Sequence, residues 1–286
     1  MVSSDVMPAG GLLASPALAM IAAVFGACVG SFLNVVAWRL PREESLIRPG
    51  SHCPHCGTPL AWFENVPVLG WLALGGRCRH CHKGISPRYV LVELLTAGLW
   101  VAMLSARPDG LGPAPQQALV VAAGWLLASW LIPLVLVDLD SLWLPEPLCR
   151  WGVLLGLACT ALVGFSQGEV VGRALLFQHL LAAGLGLLAF EGTSALAERL
   201  LGRPALGLGD AKLAALMGAW LGPAGLGLAV AVAVTGGALV GGTARLVGLL
   251  GRHQPFPFGP FLAAGAVLLW WSGHGPWLRL MGWPGP

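Results

Sequence analysis

Residues 206–217 read LGLGDAKLAALM, an apolar, glycine-punctuated run with one carboxylate set inside it. An ionisable side chain within a membrane segment costs roughly 2.5–3.5 kcal/mol on insertion scales, so Asp210 marks a function and needs a partner. Gly207 and Gly209 lack side chains and accept backbone angles closed to other residues. The backbone here can therefore open locally or let another chain approach the carboxylate. Upstream, residues 135–147 read VLVDLDSLWLPEP, and there Asp138 and Asp140 follow a long apolar run.

Composition places these acids in lipid. Of 286 residues, 56% are hydrophobic and 10% charged, with a mean hydropathy of +0.77, whereas soluble domains carry about 25% charged residues. The expected class is an all-α polytopic membrane protein with membrane lipid as its solvent. A dispersed net charge of +3 argues against a nucleic-acid surface. A soluble dinucleotide-binding domain is excluded by the lack of a GxGxxG run in a βαβ context. No Lys or Arg precedes the first apolar run, which is longer than a signal-peptide core of about 7–15 residues, so it reads as a retained helix.

A membrane helix needs about 20 apolar residues. Eight candidate segments emerge, at 12–38, 89–106, 117–137, 148–165, 170–190, 206–221, 225–249 and 258–272. If the loop 39–88 is cytoplasmic, that side also holds Arg150, Arg199, Arg203, Lys212, Arg245 and Arg252. Arg107, Arg173 and Arg279 fall opposite, which is the bias of the positive-inside rule. Parity then brings Asp138, ending the third segment, and Asp210, opening the sixth, to the same cytoplasmic side. Gly184, Gly186, Gly236, Gly237, Gly241 and Gly242 are expected at close helix contacts. Trp125, Trp130, Trp270, Trp271, Trp277 and Trp283 suit interfacial belts or packing.

The loop carries Cys53, Cys56, Cys78 and Cys81 as two CxxC pairs. That spacing matches a four-cysteine zinc site, each pair a knuckle presenting two thiolates to one tetrahedron. His52, His55, His80 and His82 interleave them and leave a Cys3His set open. A redox dithiol is the alternative, weakened by the rarity of cytoplasmic disulfides. Zinc with four thiolates is structural, having no open position for water. Cys28, Cys149 and Cys159 read as small buried packing residues.

Two aspartates meeting at a membrane–water boundary resist joint ionisation, through desolvation and mutual repulsion, and so share a proton. The ionised member can activate water while the protonated member polarises a carbonyl and then serves the leaving amine, the logic of aspartic proteases. Taken singly, each acid has a plainer reading. Asp138 or Asp140 caps the next helix, and Asp210 sits in a first helical turn or is neutralised by Lys212. Lys212 reads as an interfacial lysine with its stem along apolar surface. Glu146, Glu191 and Glu198 read as loop acids, Glu93 as an acid inside an apolar segment, and His179 as a buried polar contact.

These residues resemble the type IV prepilin peptidases, also called leader peptidases and N-methyltransferases, a GxGD class of aspartic protease. The motifs are GSFLNVVAWRLP at 30–41, the paired CxxC loop running into RYVLVELLTA at 88–97, and DLDSLWLP at 138–145. GLGDAKLAALMGAWLG at 207–222 and PFGPFLAAG at 257–265 complete them. The resemblance implies that Asp138 and Asp210 are catalytic and Asp140 a neighbour of lesser role. Gly207 and Gly209 would border the scissile peptide, with Lys212 beside them among the substrate contacts. It further implies an inner-membrane enzyme that cleaves the leader of prepilin and pseudopilin precursors after a glycine at the cytoplasmic face. Methylation of the new N-terminus by S-adenosylmethionine would follow.

Asn34, Arg39, Glu93 and the PFGPF segment join the family core without an assignable role. Departures are Glu146 where Asp or Asn is usual, Val90 where Pro often follows Arg-Tyr, and Gly70 for a common Ser. The expected division is a first helix (1–38), a zinc-binding loop domain (39–88) and a peptidase core (89–286). The rival reading is a proton-coupled transporter with a zinc-sensing loop. A scaffold protein holding zinc for a partner explains the cysteines but not the paired acids.

Overall fold

A computed structural model describes residues 15–106, 114–202, 207–251, 256–280 and 282. The start of the first predicted segment, together with Arg107, Arg203, Leu206, Arg252 and Trp283, lies outside them. The described secondary structure is helical, apart from two isolated β-bridges. The chain divides into two compact units, Met1–Ser105 and Ala106–Pro286.

In the first unit, helix α1 (Pro16–Arg39) begins where Ser15 accepts the Leu18 N–H at 3.2 Å and Pro16 supplies a preset φ. The cysteine loop follows and contains the short helix α2 (Leu69–Ala73). Helix α3 (Arg88–Met103) then packs against α1. The two come together at glycines, since a Cβ on Gly26 would stand 2.9 Å from Ala97 Cα, and one on Gly30 would stand 2.7 Å from Thr96 Oγ1. Asn34 Nδ2 donates to the carbonyls of Gly30 and Tyr89, each at 3.2 Å, and so ties the helices together with a buried polar group.

The second unit contains α4 (Ala114–Ser141), α5 (Glu146–Phe165), α6 (Glu169–Leu201), α7 (Leu208–Leu246), α8 (Gly259–Ser272) and the short α9 (Gly275–Leu280). Its core gathers Leu127, Leu131, Leu134, Leu213, Met217, Trp220 and Leu262. Trp220 is fully buried, donates through its indole N–H to the Gly152 carbonyl at 3.0 Å, and meets Trp270 edge-on. Glycine makes room for it: a Cβ on Gly156 would lie 2.6 Å from the Trp220 ring.

Among the described residues, five helices are long and apolar enough to cross a membrane. At 39 residues α7 would extend about 58 Å if straight, far beyond a hydrocarbon core of about 30 Å. It does not stay straight. Gly222 takes φ 67° and ψ −175° ahead of Pro223, a conformation open to glycine. The Cβ position of Gly186 on α6 lies 2.9 Å from the Ala214 carbonyl oxygen and 3.0 Å from a Leu226 methyl. Twelve residues of straight helix would separate Ala214 and Leu226 by about 18 Å. The chain therefore reverses at Gly222, and α7 is two arms, 208–221 and 223–246, as the predicted break between the sixth and seventh segments anticipated.

With that reversal, each of the eight predicted apolar segments has a helix. Three of these, α3, the first arm of α7 and α8, fall short of 20 residues. Several expectations change. Helix α6 runs on to Leu201, so Glu191 and Glu198 are helical, not loop acids. Glu146 is the first residue of α5. Gly186 does mark a close helix contact, but Gly236, Gly237 and Gly241 receive phenylalanine rings, and Gly184 and Gly242 face open space. Cys149 and Cys159 are buried as expected, whereas Cys28 is exposed.

A close backbone contact between helices is at Gly218, where a Cβ would stand 2.5 Å from the Ala182 backbone of α6. Gly218→Ala should destabilise the protein by about 1–3 kcal/mol through overpacking. Gly184→Ala, on the open side of α6, should be neutral or stabilising because alanine favours helix by up to about 1 kcal/mol. Thermal unfolding of both variants in detergent checks this; equal midpoints would contradict the close α6–α7 contact.

Candidate active site and cysteine cluster

Asp138 lies in the last turn of α4 and is 6% exposed, while Asp210 opens the first turn of α7 and is half-buried. They belong to one unit and their charges lie within electrostatic reach of each other. Each carboxylate is held in the same manner. The Gly259 N–H, at the start of α8, donates to Asp138 Oδ2 at 3.0 Å, and the Gly207 N–H donates to Asp210 Oδ2 at 3.2 Å. The second oxygen of each acid has no partner among the described residues, so one oxygen is oriented by backbone while the other is left for water or substrate. Asp140, two residues on, is exposed.

Three further contacts fix this end of the bundle. Leu144 packs 3.1–3.2 Å from where a Gly209 Cβ would be, holding the α4–α5 corner against the start of α7. Lys212 pairs with Glu146 across the same junction; among the described residues no ion pair joins Lys212 to Asp210, so neutralisation of the acid by its neighbour is set aside. The rings of Phe256 and Phe258 reach Gly241 and Gly237 on the second arm of α7. That contact brings the end of that arm to the start of α8, beside Asp138. Neither Gly207 nor Gly209 takes a left-handed backbone: Gly207 is an extended cap, and Gly209 is needed for the room it gives Leu144.

The residue the sequence reading left without a role is Gly259, inside PFGPF. A Cβ there would stand 2.6 Å from Asp138 Oδ2, so only glycine can bring its N–H to that carboxylate. A glycine between Phe and Pro at a helix start was the signal, but its partner is 121 residues away. His179 is a packing group, as expected: its Nδ1 lies 3.0 Å from the Ala219 carbonyl and 3.2 Å from Thr160 Oγ1.

The cysteine loop folds as two equivalent knuckles. In one, Cys53 N–H bonds the Thr58 carbonyl and Gly57 N–H bonds the Cys53 carbonyl. In the other, Cys78 N–H bonds the Lys83 carbonyl and His82 N–H bonds the Cys78 carbonyl. The bridges His52–Pro59 and Arg77–Gly84 close them at matching offsets. Residues 52–59 and 77–84 thus form a short internal repeat that shares only the CxHC core, His55 matching His80.

The four sulfurs lie within 4.8 Å of one another, with Cys53–Cys81 at 3.8 Å and Cys56–Cys78 at 3.9 Å. Tetrahedral zinc with bonds of about 2.3 Å requires sulfurs about 3.8 Å apart, so the cluster fits the ion. No histidine joins this group among the described residues, which favours the four-thiolate set over Cys3His. Bonding from the Thr58 hydroxyl, then from its backbone N–H, brings the Cys56 thiol down to about 6. Backbone N–H groups of Cys81 and His80 lower Cys78 as well, and both shifts favour the thiolate, the ligating form; at Cys81 the Lys83 backbone N–H is outweighed by desolvation and the neighbouring sulfurs, which push that thiol up to about 11.

Residues 24–106 match the bacterial Peptidase A24 N-terminal domain, and residues 125–242 match the type IV leader peptidase family. The prepilin leader peptidase/N-methyltransferase of Myxococcus xanthus is 43% identical over 72% of this chain, a stretch spanning 57% of that relative's length. The enzyme of the same name from Aeromonas hydrophila is 38% identical over 87% of this chain and 89% of its own. The type 4 prepilin-like proteins leader peptide-processing enzyme of Escherichia coli is 35% identical over 88% of this chain and 93% of its own. No solved structure gives a significant match. Matches to both family domains, and nearly full-length similarity to the Aeromonas and Escherichia proteins, establish that this chain belongs to the type IV leader peptidase family.

Proposed function

We propose that this protein is a multi-pass inner-membrane aspartic endopeptidase that removes the leader of type IV prepilin and pseudopilin precursors and then N-methylates the exposed terminus. The observation that supports the reading is that Asp138 and Asp210 lie at the same end of one helical bundle, each accepting a backbone N–H. The transporter alternative has no support, since the relatives named above are all leader-processing enzymes.

The reaction follows from the arrangement. A precursor's apolar helix lies in the bilayer with its leader junction, after a glycine, between the two carboxylates. The ionised carboxylate takes a proton from a water, whose oxygen attacks the scissile carbonyl carbon as the protonated carboxylate donates to the carbonyl oxygen. Collapse of the tetrahedral adduct breaks the C–N bond, the amine nitrogen receives a proton, and a carboxylate and a free amine result. Gly259 and Gly207 hold one oxygen of each acid and so aim the other, which limits the reorganisation needed at reaction. Gly207, exposed and beside Asp210, and Lys212 border the approach. The positive-inside bias of the sequence supports a cytoplasmic location for the catalytic end and for the cysteine loop.

Cys53, Cys56, Cys78 and Cys81 would hold zinc, which would close residues 39–88 into a module and, with four thiolates, leave no position for a reacting water. S-adenosylmethionine, when bound, would supply an electrophilic methyl group for the new terminal amine.

Asp138→Asn and Asp210→Asn should each reduce leader cleavage at least ~10²-fold with unchanged thermal unfolding, measured on a prepilin peptide by mass spectrometry. Near-normal cleavage by either would refute the assigned pair. Gly259→Ala should impair cleavage too, by displacing Asp138, while leaving zinc content intact. Metal analysis should find about one zinc per wild-type chain and a clear loss in Cys53→Ser and Cys78→Ser; equal zinc in all three would remove the site.

A further inference from the structure

The first unit encloses a cavity of about 640 Å³ that the peptidase chemistry does not use. This lies within the roughly 300–1,000 Å³ typical of small-molecule sites. Its walls come from α1, α3 and the cysteine loop, and include Asn34, Trp38, Arg39, Trp71, Tyr89 and Glu93. Most of the polar lining is already committed. Arg39 donates to the carbonyls of Ser45 and Gly50 at 2.9 and 3.3 Å. Asn34 spans Gly30 and Tyr89, the Trp71 indole N–H donates to Ile85 O at 3.1 Å, and Glu64 pairs with Arg79 at 3.2 Å.

Glu93 is different. It is 6% exposed, and Oε2 accepts the Val68 N–H at 2.7 Å. Its other oxygen has no partner, and no cation pairs with it, among the described residues. A buried carboxylate so placed is stabilised by a positive charge brought to it. The rings of Trp71 and Tyr89 line the same cavity, and aromatic faces favour flat heterocycles and cations, as Arg42 over the Trp38 ring at 3.6 Å shows on its rim.

A small ligand that is cationic and carries a planar base fits both features. We propose that this cavity binds S-adenosylmethionine and that Glu93 pairs with a positive charge of the methyl donor. The proposal rests on the methyltransferase half of the function above and assigns it a place in the first unit. The wall includes Cys53 and its neighbours Ser51, His52, Pro54 and His55, so the metal knuckle also shapes the cavity.

The test uses the full-length protein in detergent, with S-adenosylmethionine and S-adenosylhomocysteine titrated separately by calorimetry. Glu93→Gln retains an acceptor for the Val68 N–H and removes only the charge. It should weaken S-adenosylmethionine binding at least tenfold while leader cleavage stays within twofold and zinc content is unchanged. Weakening confined to S-adenosylmethionine would place Glu93 at the sulfonium, and equal weakening of both ligands would place it at the α-ammonium; either upholds the proposal. Photocrosslinking with radiolabelled S-adenosylmethionine should label peptides within residues 31–93. Wild-type affinity in Glu93→Gln, or labelling confined to residues 114–282, would overturn the site and leave the methyltransferase reading standing. Absence of both binding and methylation in the wild type would overturn both.

Discussion

A carboxylate inside an apolar helical bundle persists only if the fold brings donors to it, and Asp138 depends on one, the Gly259 N–H. That bond sets much of the second unit. It requires α8 to start against the end of α4, and it requires the residue at 259 to lack a Cβ. The α8 start is held there by Phe256 and Phe258 on glycines of the returning arm of α7. Asp210 begins the outgoing arm, so the reversal at Gly222 delivers the second acid, the returning arm and the α8 start to the same end.

The two units use glycine in the same way for different ends. In the first, Gly26 and Gly30 let α1 and α3 approach closely enough for Asn34 to bridge them and for Glu93 to reach the Val68 backbone. In the second, Gly152, Gly156 and Gly218 admit Leu216, the Trp220 ring and the α6 backbone. Apolar surface gives little net drive to associate helices in lipid, so close packing and a few buried hydrogen bonds carry specificity. The polar groups placed by those contacts are the ones with chemistry to do.

The cysteine module obeys a separate logic. Two knuckles of equivalent hydrogen bonding present four sulfurs at zinc spacing, with almost no hydrophobic core of their own. A metal held there would supply the cohesion that burial cannot. Its first knuckle also walls the cavity that contains Glu93.

Much was legible in the residues themselves. Hydropathy and breaks at Pro and Gly fixed eight apolar segments, because lipid allows only backbone that satisfies itself within a helix. CxxC spacing announced the cluster, because two thiolates three residues apart suit one ion. Asp210 stood out because a charge in lipid is costly. The tertiary structure alone decided the rest. Gly259 became the holder of Asp138, Lys212 went to Glu146 and not to Asp210, and Gly209 proved to serve Leu144. Glu93 became the wall of a cavity. Each of these depends on contacts between residues distant in the chain, where packing distance rather than local pattern determines which polar group meets which.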